Sequence, residues 1–183
     1  AIGYPVALKM MSLQLAHKTE AGAVALGLND AESVSRAVTQ MAQAVRSYDA
    51  CAATDDFLIE AMSPRPFAEM IVSLRTDPQF GAAMVLGSGG ILTELVGDAV
   101  TLLLPSTPEE IVVALRSLRV ARLLDGFRGA QPADLAQISL ALYQLCDVFV
   151  REHKAVAEME INPMFLYADR IIAVDALIQM NTA

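Results

Sequence analysis

The chain has 183 residues, of which 55% are hydrophobic and 19% charged, so it can bury a sizeable core and is not expected to be disordered. Its formal charge of -8 disfavours nucleic acid and anionic membrane surfaces as partners. No apolar run reaches the roughly 20 residues of a membrane helix, and the two cysteines lack metal-ligand spacing, so we expect a cytoplasmic protein.

The N-terminal third of the chain predicts two strands followed by a helix. Apolar runs at residues 5–11 and 23–28 have strand length. Asn29 or Asp30 can cap the helix that follows them. The apolar positions of this helix recur every three or four residues, at Val34, Val38, Met41 and Val45. A mixed pattern of strands and helices is therefore expected.

Strands dominate the middle of the chain. Residues 57–62 read as one strand, and residues 67–75 alternate between apolar and polar side chains. In the alternating segment, Glu69, Ser73 and Arg75 share a face that is either solvated or functional. Residues 81–86 predict a further buried strand. Two helices then follow, at residues 108–124 and 133–152.

The C-terminal segment predicts a hairpin. Alternation in residues 156–162 places Glu158, Glu160 and Asn162 on one face. A two-residue turn at positions 168–169 would pair Tyr167 with Arg170, and in the same register Asn162 with Asp175. Directly opposed residues have Cβ atoms about 4.5 to 5.5 Å apart.

One cation could therefore touch both Asn162 and Asp175. An amide and a carboxylate oxygen suit Mg²⁺, which keeps several waters and takes further ligands from phosphates. Polar residues that cap turns at strand ends would give the same sequence, and this alternative stays open. Glu160 adds negative charge on the same face.

Two basic positions near the N-terminus are candidates for phosphate chemistry. Lys9 follows an apolar strand, which could fix its ammonium near phosphate oxygens; a lysine at a sheet edge with only its stem buried is the alternative. His17, beside Lys18 in a polar turn, could accept a phosphoryl group, although loop histidines without a role are as common. His153 is better explained by its helix C-terminus.

Glycines at positions 87, 89 and 90 would allow the backbone to approach phosphates closely. No Lys-Ser or Lys-Thr follows them, so the segment is not a Walker-type loop, and a plain turn is the alternative. Glu94 could serve a second metal or phosphate contact, or it could be an exposed acid.

Several segments together resemble the ATP-grasp domain of ADP-forming acyl-CoA synthetases, which are related to the nucleotide-binding subunit of succinyl-CoA synthetase. They occur in the family's order along nearly the whole chain: YPVALKM from Tyr4, HKTEAGAVALGL from His17, RTDPQFGAAMVLGSGGILTELVGD from Arg75, LLDGFRG from Leu123, AEMEINPM from Ala157 and AVDA from Ala173. Six matches in order are more specific than any one of them.

The resemblance implies roles for individual residues. Lys9 would contact nucleotide phosphates, and Asn162 with Asp175 would hold Mg²⁺. Glu60 to Met62 would form the strand near the adenine of ATP or ADP. His17 would carry the phosphoryl group between a histidine of the ligase part and the nucleotide. Gly89 and Gly90 would line the phosphate end of the nucleotide. From its position after these glycines, Glu94 is expected to be a further nucleotide contact.

The resemblance also implies the architecture. We expect an α+β (α/β) ATP-grasp fold that lacks its N-terminal strand and helix, with residues 1–58 in the first lobe and 59–183 in the second. Its partners would be CoA-binding and ligase domains, in the same chain or in a partner subunit, within an oligomer. The fragment alone is not expected to make acyl-CoA.

Two positions depart from the family pattern. Gly22-Ala23 replaces a Gly-Gly pair, and Ala61 stands where an acid or amide is expected beside the adenine. Both point to altered nucleotide binding. A separate alternative is a non-catalytic, regulatory ATP-grasp-like module of a protein acetyltransferase. Joint retention of Lys9, His17, Asn162 and Asp175 favours the enzyme. A biotin carboxylase relative is disfavoured, because such ligases need no histidine after Lys9.

Overall fold

The computed structural model describes residues 2–15, 18–89, 97–126 and 131–181. The chain divides into two compact units, Ala1–Pro64 and Arg65–Ala183. The division falls later than the predicted boundary between residues 58 and 59. The reason is that the last strand of the first unit pairs along its length with the first strand of the chain.

The described residues of the first unit form a three-stranded antiparallel sheet and one helix. Its strands are β1 (Val6–Met10), β2 (Val24–Leu28) and β3 (Phe57–Ala61), in the order β2-β1-β3, and helix α1 spans Ala31–Tyr48. These four elements were predicted. β1 is the central strand, and all five of its residues are buried.

Helix α1 packs one apolar stripe against the first sheet. Ala37, Met41 and Val45 recur at four-residue spacing and join Leu8 and Met10 of β1 in one buried cluster. The helix begins after Asp30, not Asn29. The Asp30 carboxylate accepts a hydrogen bond from the Ser33 N–H at 2.6 Å, and the Ser33 hydroxyl accepts one from the Asp30 N–H at 3.2 Å. This reciprocal cap fixes the start of the helix.

The second unit contains a larger antiparallel sheet. Its order is β6-β5-β4-β7-β8, with β9 also paired to β7. The strands are β4 (Ala68–Asp77), β5 (Gly81–Ser88), β6 (Ala99–Leu103), β7 (Val156–Leu166), β8 (Ile171–Ala173) and β9 (Ala176–Met180). The sequence predicted neither β6 nor β9.

The described residues of the second unit include the helices α2 (Pro108–Ser117), α3 (Ala121–Leu124) and α4 (Leu135–Glu152). The prediction of one helix over residues 108–124 was wrong. Leu118 has extended dihedrals, φ -74° and ψ 147°, and ends α2. The Asp98 carboxylate accepts the next two N–H groups, of Arg119 and Val120, and so fixes the break.

The helices of the second unit pack on one face of its sheet. The buried cluster that they share with the sheet includes Met70, Leu74, Leu86, Ile111, Leu115, Leu142, Phe149, Ile161 and Leu166. The alternation of β4 sends Ala68, Met70, Val72 and Leu74 into this core, as the sequence predicted. Among the described residues, no helix combines the length and apolar character needed to cross a membrane.

Candidate functional site

Lys9 lies in the interior of the first unit. It occupies the central strand, is 5% exposed, and its Nζ lies 2.7 Å from Oε2 of Glu60. Glu60 pairs with Ala7 across the sheet and Lys9 with Leu58, so the ion pair is diagonal on one face. Lys9 is therefore not an edge lysine with a solvated head group. Burial of an ammonium is unfavourable unless an anion accompanies it, and Glu60 supplies that anion.

The predicted adenine strand is part of the same sheet. The Glu60 side chain is 40% exposed, so one end of the ion pair reaches solvent. Ala61 pairs with Val6, and the Met62 N–H donates to the Pro5 carbonyl at 3.1 Å. The Met62 N–H is thus already used within the unit.

His17 lies outside the described residues, and the segment that follows it is hydrogen-bonded to the end of β1. The Ala23 N–H donates to the Lys18 carbonyl at 2.8 Å, and the Met10 N–H donates to the Ala23 carbonyl at 3.0 Å. These bonds bring the chain after His17 back to the end of β1. Gly22 has φ 68°, a left-handed conformation that favours glycine.

Ala23 stands where the family pattern has the second glycine of a Gly-Gly pair, and it is fully buried. It packs in the cluster formed by β1 and α1. A methyl group is therefore accommodated at this position by the core, and Gly22 retains the conformation that needs glycine.

Asn162 and Asp175 lie opposite each other in the C-terminal hairpin, and the predicted register is confirmed. The Tyr167 N–H donates to the Arg170 carbonyl at 2.9 Å, and the Asn162 N–H donates to the Asp175 carbonyl at 3.1 Å. The same register continues into β9, where Ile161 pairs with Ala176.

A β-bulge lies beside this pair. Met70 of β4 pairs with Met164 of β7, whereas Val72 pairs with Ile161, so β7 carries one extra residue between these points. Bulges redirect side chains and are common next to functional sites. The extra residue lies at Asn162–Pro163, so the bulge includes Asn162, one of the two candidate metal ligands.

Acidic side chains continue along the strand that carries Asn162. Glu160 is directly opposite Ser73 of β4, and Glu158 is opposite Arg75. The Ser73 hydroxyl donates to Oε1 of Glu158 at 3.5 Å, and Ser73 itself is buried. Two carboxylates therefore lie on the sheet face away from the apolar core, as the predicted alternation implied.

The residues present fit a hard cation with few protein ligands. Among residues 2–15, 18–89, 97–126 and 131–181, no group of three or more His, Cys, Asp or Glu side chains forms a metal cluster. Mg²⁺ commonly takes one or two protein carboxylates and completes its shell with water and phosphate. The oxygens of Asn162 and Asp175 match that donor set.

Gly89 is demanded by packing. A Cβ at this position would come within 2.5 Å of the Met70 carbonyl carbon, and the Gly89 N–H donates to the Glu69 carbonyl at 2.8 Å. Close approach of β4 is thus a sufficient reason for glycine, beside the predicted phosphate contact. Gly90 and Glu94, the other two residues predicted in this segment, lie outside the described residues.

Asp98 is a structural residue that the sequence did not reveal. Its carboxylate accepts hydrogen bonds from the Ser88 hydroxyl at 2.9 Å and from the N–H groups of Arg119 and Val120 at 2.9 and 3.2 Å. Partial burial alone would raise the pKa of Asp98. The hydrogen bonds and the nearby Arg119 charge together lower it by more, so the pKa is below its ordinary value. Asp98 thereby ties β5 to the start of α3.

The structure thus brings the predicted residues together in two groups. Lys9 contacts Glu60 in the first unit, with Met62 at the end of the same strand region. Asn162 lies opposite Asp175 in the second unit. No sequence signal predicted the ion pair, because its partners are diagonal neighbours on strands far apart in the chain.

Comparison with known proteins identifies the family. The model of the ATP-grasp domain matches residues 1–180. The beta subunit of an ADP-forming acetate–CoA ligase I from Pyrococcus furiosus is 34% identical over 175 residues, which cover 96% of this chain and 75% of the relative.

Solved structures give the same result. The dinucleotide-forming acetyl-coenzyme A synthetase 1 of Ca. Korarchaeum cryptofilum, in complex with coenzyme A, Ca-AMPCP and HgCl⁺, is 32% identical with a TM-score of 0.89, covering 98% of this chain and 78% of that one. A second structure of that enzyme contains coenzyme A and Mg-AMPPCP, and its phosphohistidine segment points towards the nucleotide binding site. It is 31% identical with a TM-score of 0.79, with coverage of 98% and 78%.

Proposed function

This chain belongs to the ATP-grasp domain family, and from that premise we propose that it is the nucleotide-binding part of an ADP-forming acyl-CoA synthetase. It binds Mg-ATP or Mg-ADP and exchanges a phosphoryl group through a phosphohistidine. The complete reaction converts a carboxylic acid, CoA and ATP into acyl-CoA, ADP and phosphate. CoA-binding and ligase domains, in the same chain or a partner subunit, supply the remaining steps.

The pairing of Asn162 with Asp175 carries the proposal. A backbone hydrogen bond of 3.1 Å holds the two residues opposite each other, so an amide and a carboxylate can serve one Mg²⁺. The ion would neutralise the charge of nucleotide phosphates. Glu160 and Glu158 add negative charge on the same strand, which strengthens attraction for a cation.

Lys9 supplies the ammonium in this proposal. Its charge is held in a largely water-excluded position, where interactions with phosphate oxygens are stronger than in bulk water. Glu60 neutralises Lys9 in the described structure at 2.7 Å. A bound phosphate would share or replace that contact, so Glu60 keeps the ammonium in position until nucleotide arrives.

His17 is assigned the phosphoryl transfer step. A neutral imidazole nitrogen attacks the terminal phosphorus, the bond from phosphorus to the bridging oxygen of ATP breaks, and ADP leaves; the reverse step makes ATP. Positioning and charge neutralisation, more than further covalent chemistry, supply the rate enhancement. For the adenine, the Met62 carbonyl is the backbone group assigned, since the Met62 N–H donates to Pro5.

Replacement of Asp175 tests the metal assignment. We expect Asp175→Ala to weaken Mg-ADP binding by about tenfold to a hundredfold, because one anionic ligand is lost. ADP without Mg²⁺ should bind the variant as it binds the wild type. Isothermal titration calorimetry with and without Mg²⁺ measures both affinities.

Asp169→Ala is the matched control. Asp169 lies in the turn of the same hairpin, is exposed, and forms an ion pair with Arg170 at 3.5 Å. Its replacement should leave Mg-ADP affinity unchanged. Equal affinities in wild type, control and Asp175→Ala would refute the metal site.

The phosphoryl transfer step is tested in the intact enzyme with labelled ATP. Mg-ADP binding without formation of labelled phosphohistidine, or retention of the label after His17→Ala, would refute this step.

A further inference from the structure

A second charged site lies at the corner between α2 and α3, and we propose that it binds a ligand carrying a diphosphate group. The site is a cavity of about 650 Å³ lined by the guanidinium-bearing residues Arg116, Arg119 and Arg122, together with Ser117 and Asp125. The proposed nucleotide and metal function uses none of these residues.

The three arginines make no close ion pair among the described residues, although the charge of Arg119 acts on Asp98. Within the described part of the chain, Arg36, Arg151 and Arg170 each have an acidic partner within 4.0 Å, whereas Arg116, Arg119 and Arg122 have none. Asp125 offsets one of their three charges and Asp98 acts on the charge of Arg119, so the corner keeps a net positive charge of about one. Such a concentration of positive charge is distinctive in a protein with a formal charge of -8.

The backbone that carries these arginines is anchored. Leu118 and Ala121 face inward at 4% and 7% exposure, and Leu124 at 1% packs in the core of the second unit. The Asp98 carboxylate holds the N–H groups of Arg119 and Val120. Three exposed guanidinium groups therefore project from a fixed helical corner, which lowers the entropic cost of gathering them around a ligand.

The chemistry of the lining selects phosphate. A guanidinium presents paired N–H donors that match two oxygens of one phosphate, and three of them exceed what a single monoanion needs. A cavity of this size is within the roughly 300 to 1,000 Å³ of small-molecule sites. A diphosphate, with several negative charges on two linked groups, fits the charge, and the volume leaves room for the rest of the ligand that carries it.

The cavity is separate from the acidic side chains of β7, the strand that carries Asn162. Helices α2 and α3 pack on the apolar face of the sheet through Ile111, Leu115 and Leu124, whereas Glu158 and Glu160 lie on the other face. Binding at the two places can therefore be measured independently.

Calorimetric titration of the whole protein with inorganic pyrophosphate, in Mg²⁺-free buffer at low salt, tests the proposal. We expect saturable binding that the double variant Arg116→Gln/Arg122→Gln weakens by about tenfold or more, because charge-assisted hydrogen bonds are lost. Asp125→Asn should tighten binding about threefold, because it removes a like charge from the site.

Arg46→Gln is the matched control, since Arg46, like Arg116, lies in the last turn of a helix. It should bind pyrophosphate as the wild type does. Absence of saturable binding, or an equal loss in the control, overturns the proposal. An unchanged affinity in Asp125→Asn together with an unchanged affinity in the double arginine variant also overturns it.

Titration with ADP in the same buffer distinguishes the sources of the diphosphate. ADP that competes with pyrophosphate, and that loses affinity in the double arginine variant, identifies an organic diphosphate as the ligand. ADP that fails to compete while pyrophosphate still binds identifies free diphosphate. Pyrophosphate binding that is lost in Asp175→Ala, and kept in the arginine variant, refutes this site and leaves the proposed function standing.

Discussion

The central strands of the two sheets differ in whether they bury a charged side chain. β1 of the first unit buries the ammonium of Lys9 at 5% exposure and neutralises it with Glu60. β4 of the second unit buries only uncharged side chains, and of its three charged residues Glu69 and Arg75 are exposed and Asp77 is half-buried. The first unit therefore couples a candidate functional group to its own stability, whereas the second places its candidate metal ligands at hairpin positions outside the apolar core.

The coupling in the first unit should give the largest effect. Glu60→Gln would remove the carboxylate that lies 2.7 Å from the buried Lys9 ammonium, and we expect a loss of about 3 kcal/mol in the free energy of unfolding. Lys9→Met should cost less, because methionine fills the buried position without charge while the half-exposed Glu60 can be hydrated. Urea unfolding of both variants measures the difference. A Lys9→Met variant less stable than Glu60→Gln would break the comparison.

Asp98 should give an intermediate effect in the second unit, because its charge serves structure. Asp98→Asn should lower the free energy of unfolding by about 1 to 2 kcal/mol near pH 7, since the charge-assisted hydrogen bonds weaken. The depressed pKa means that this stabilisation is present above the ordinary pKa of an aspartate and is lost as the pH falls through the lower folded value. The variant's stability should therefore depend less steeply on pH in the acid range.

Asp77 provides the control for that pH dependence. Hydrogen bonds from the Gln79 and Phe80 N–H groups lower the pKa of Asp77 as well, but it caps the turn between β4 and β5. Asp77→Asn should make the free energy of unfolding depend less steeply on pH in the acid range. It should not increase local opening at the junction between α2 and α3. Hydrogen exchange at the Arg119 and Val120 amides, followed by NMR, should increase only in Asp98→Asn.

Asp175 should give the smallest effect on stability. Without nucleotide or Mg²⁺, we expect Asp175→Asn to change the free energy of unfolding by less than about 1 kcal/mol, because the register is held by backbone hydrogen bonds. Thermal unfolding measures this change. A loss comparable to that of Glu60→Gln would show that Asp175 serves the fold, and the contrast between the units would fail.

Local sequence patterns were sufficient for much of the fold. The apolar runs of β1 and β2, the alternation of β4 and the cap of α1 depend on neighbours within a few residues. The hairpin register was also predictable, because a two-residue turn sets which residues face each other, and this placed Asn162 opposite Asp175.

Other features depended on residues distant in the chain. Leu118 belongs to an apolar pattern that favours one long helix, yet Asp98 captures the N–H groups that follow it. β9 continues the hairpin after β8, and its exposed apolar residues did not distinguish it from a loop. Gly89 has a packing reason that only the position of β4 reveals.

The sequence by itself determined the order of most strands and helices, the hairpin pairing and the family resemblance, since these follow from short-range periodicity and from motifs in a fixed order. Tertiary structure alone decided that Lys9 is buried against Glu60, that Asp98 interrupts a helix, and that three arginines surround one cavity. Charge interactions and burial depend on distances between chain segments, and composition and periodicity do not fix those distances.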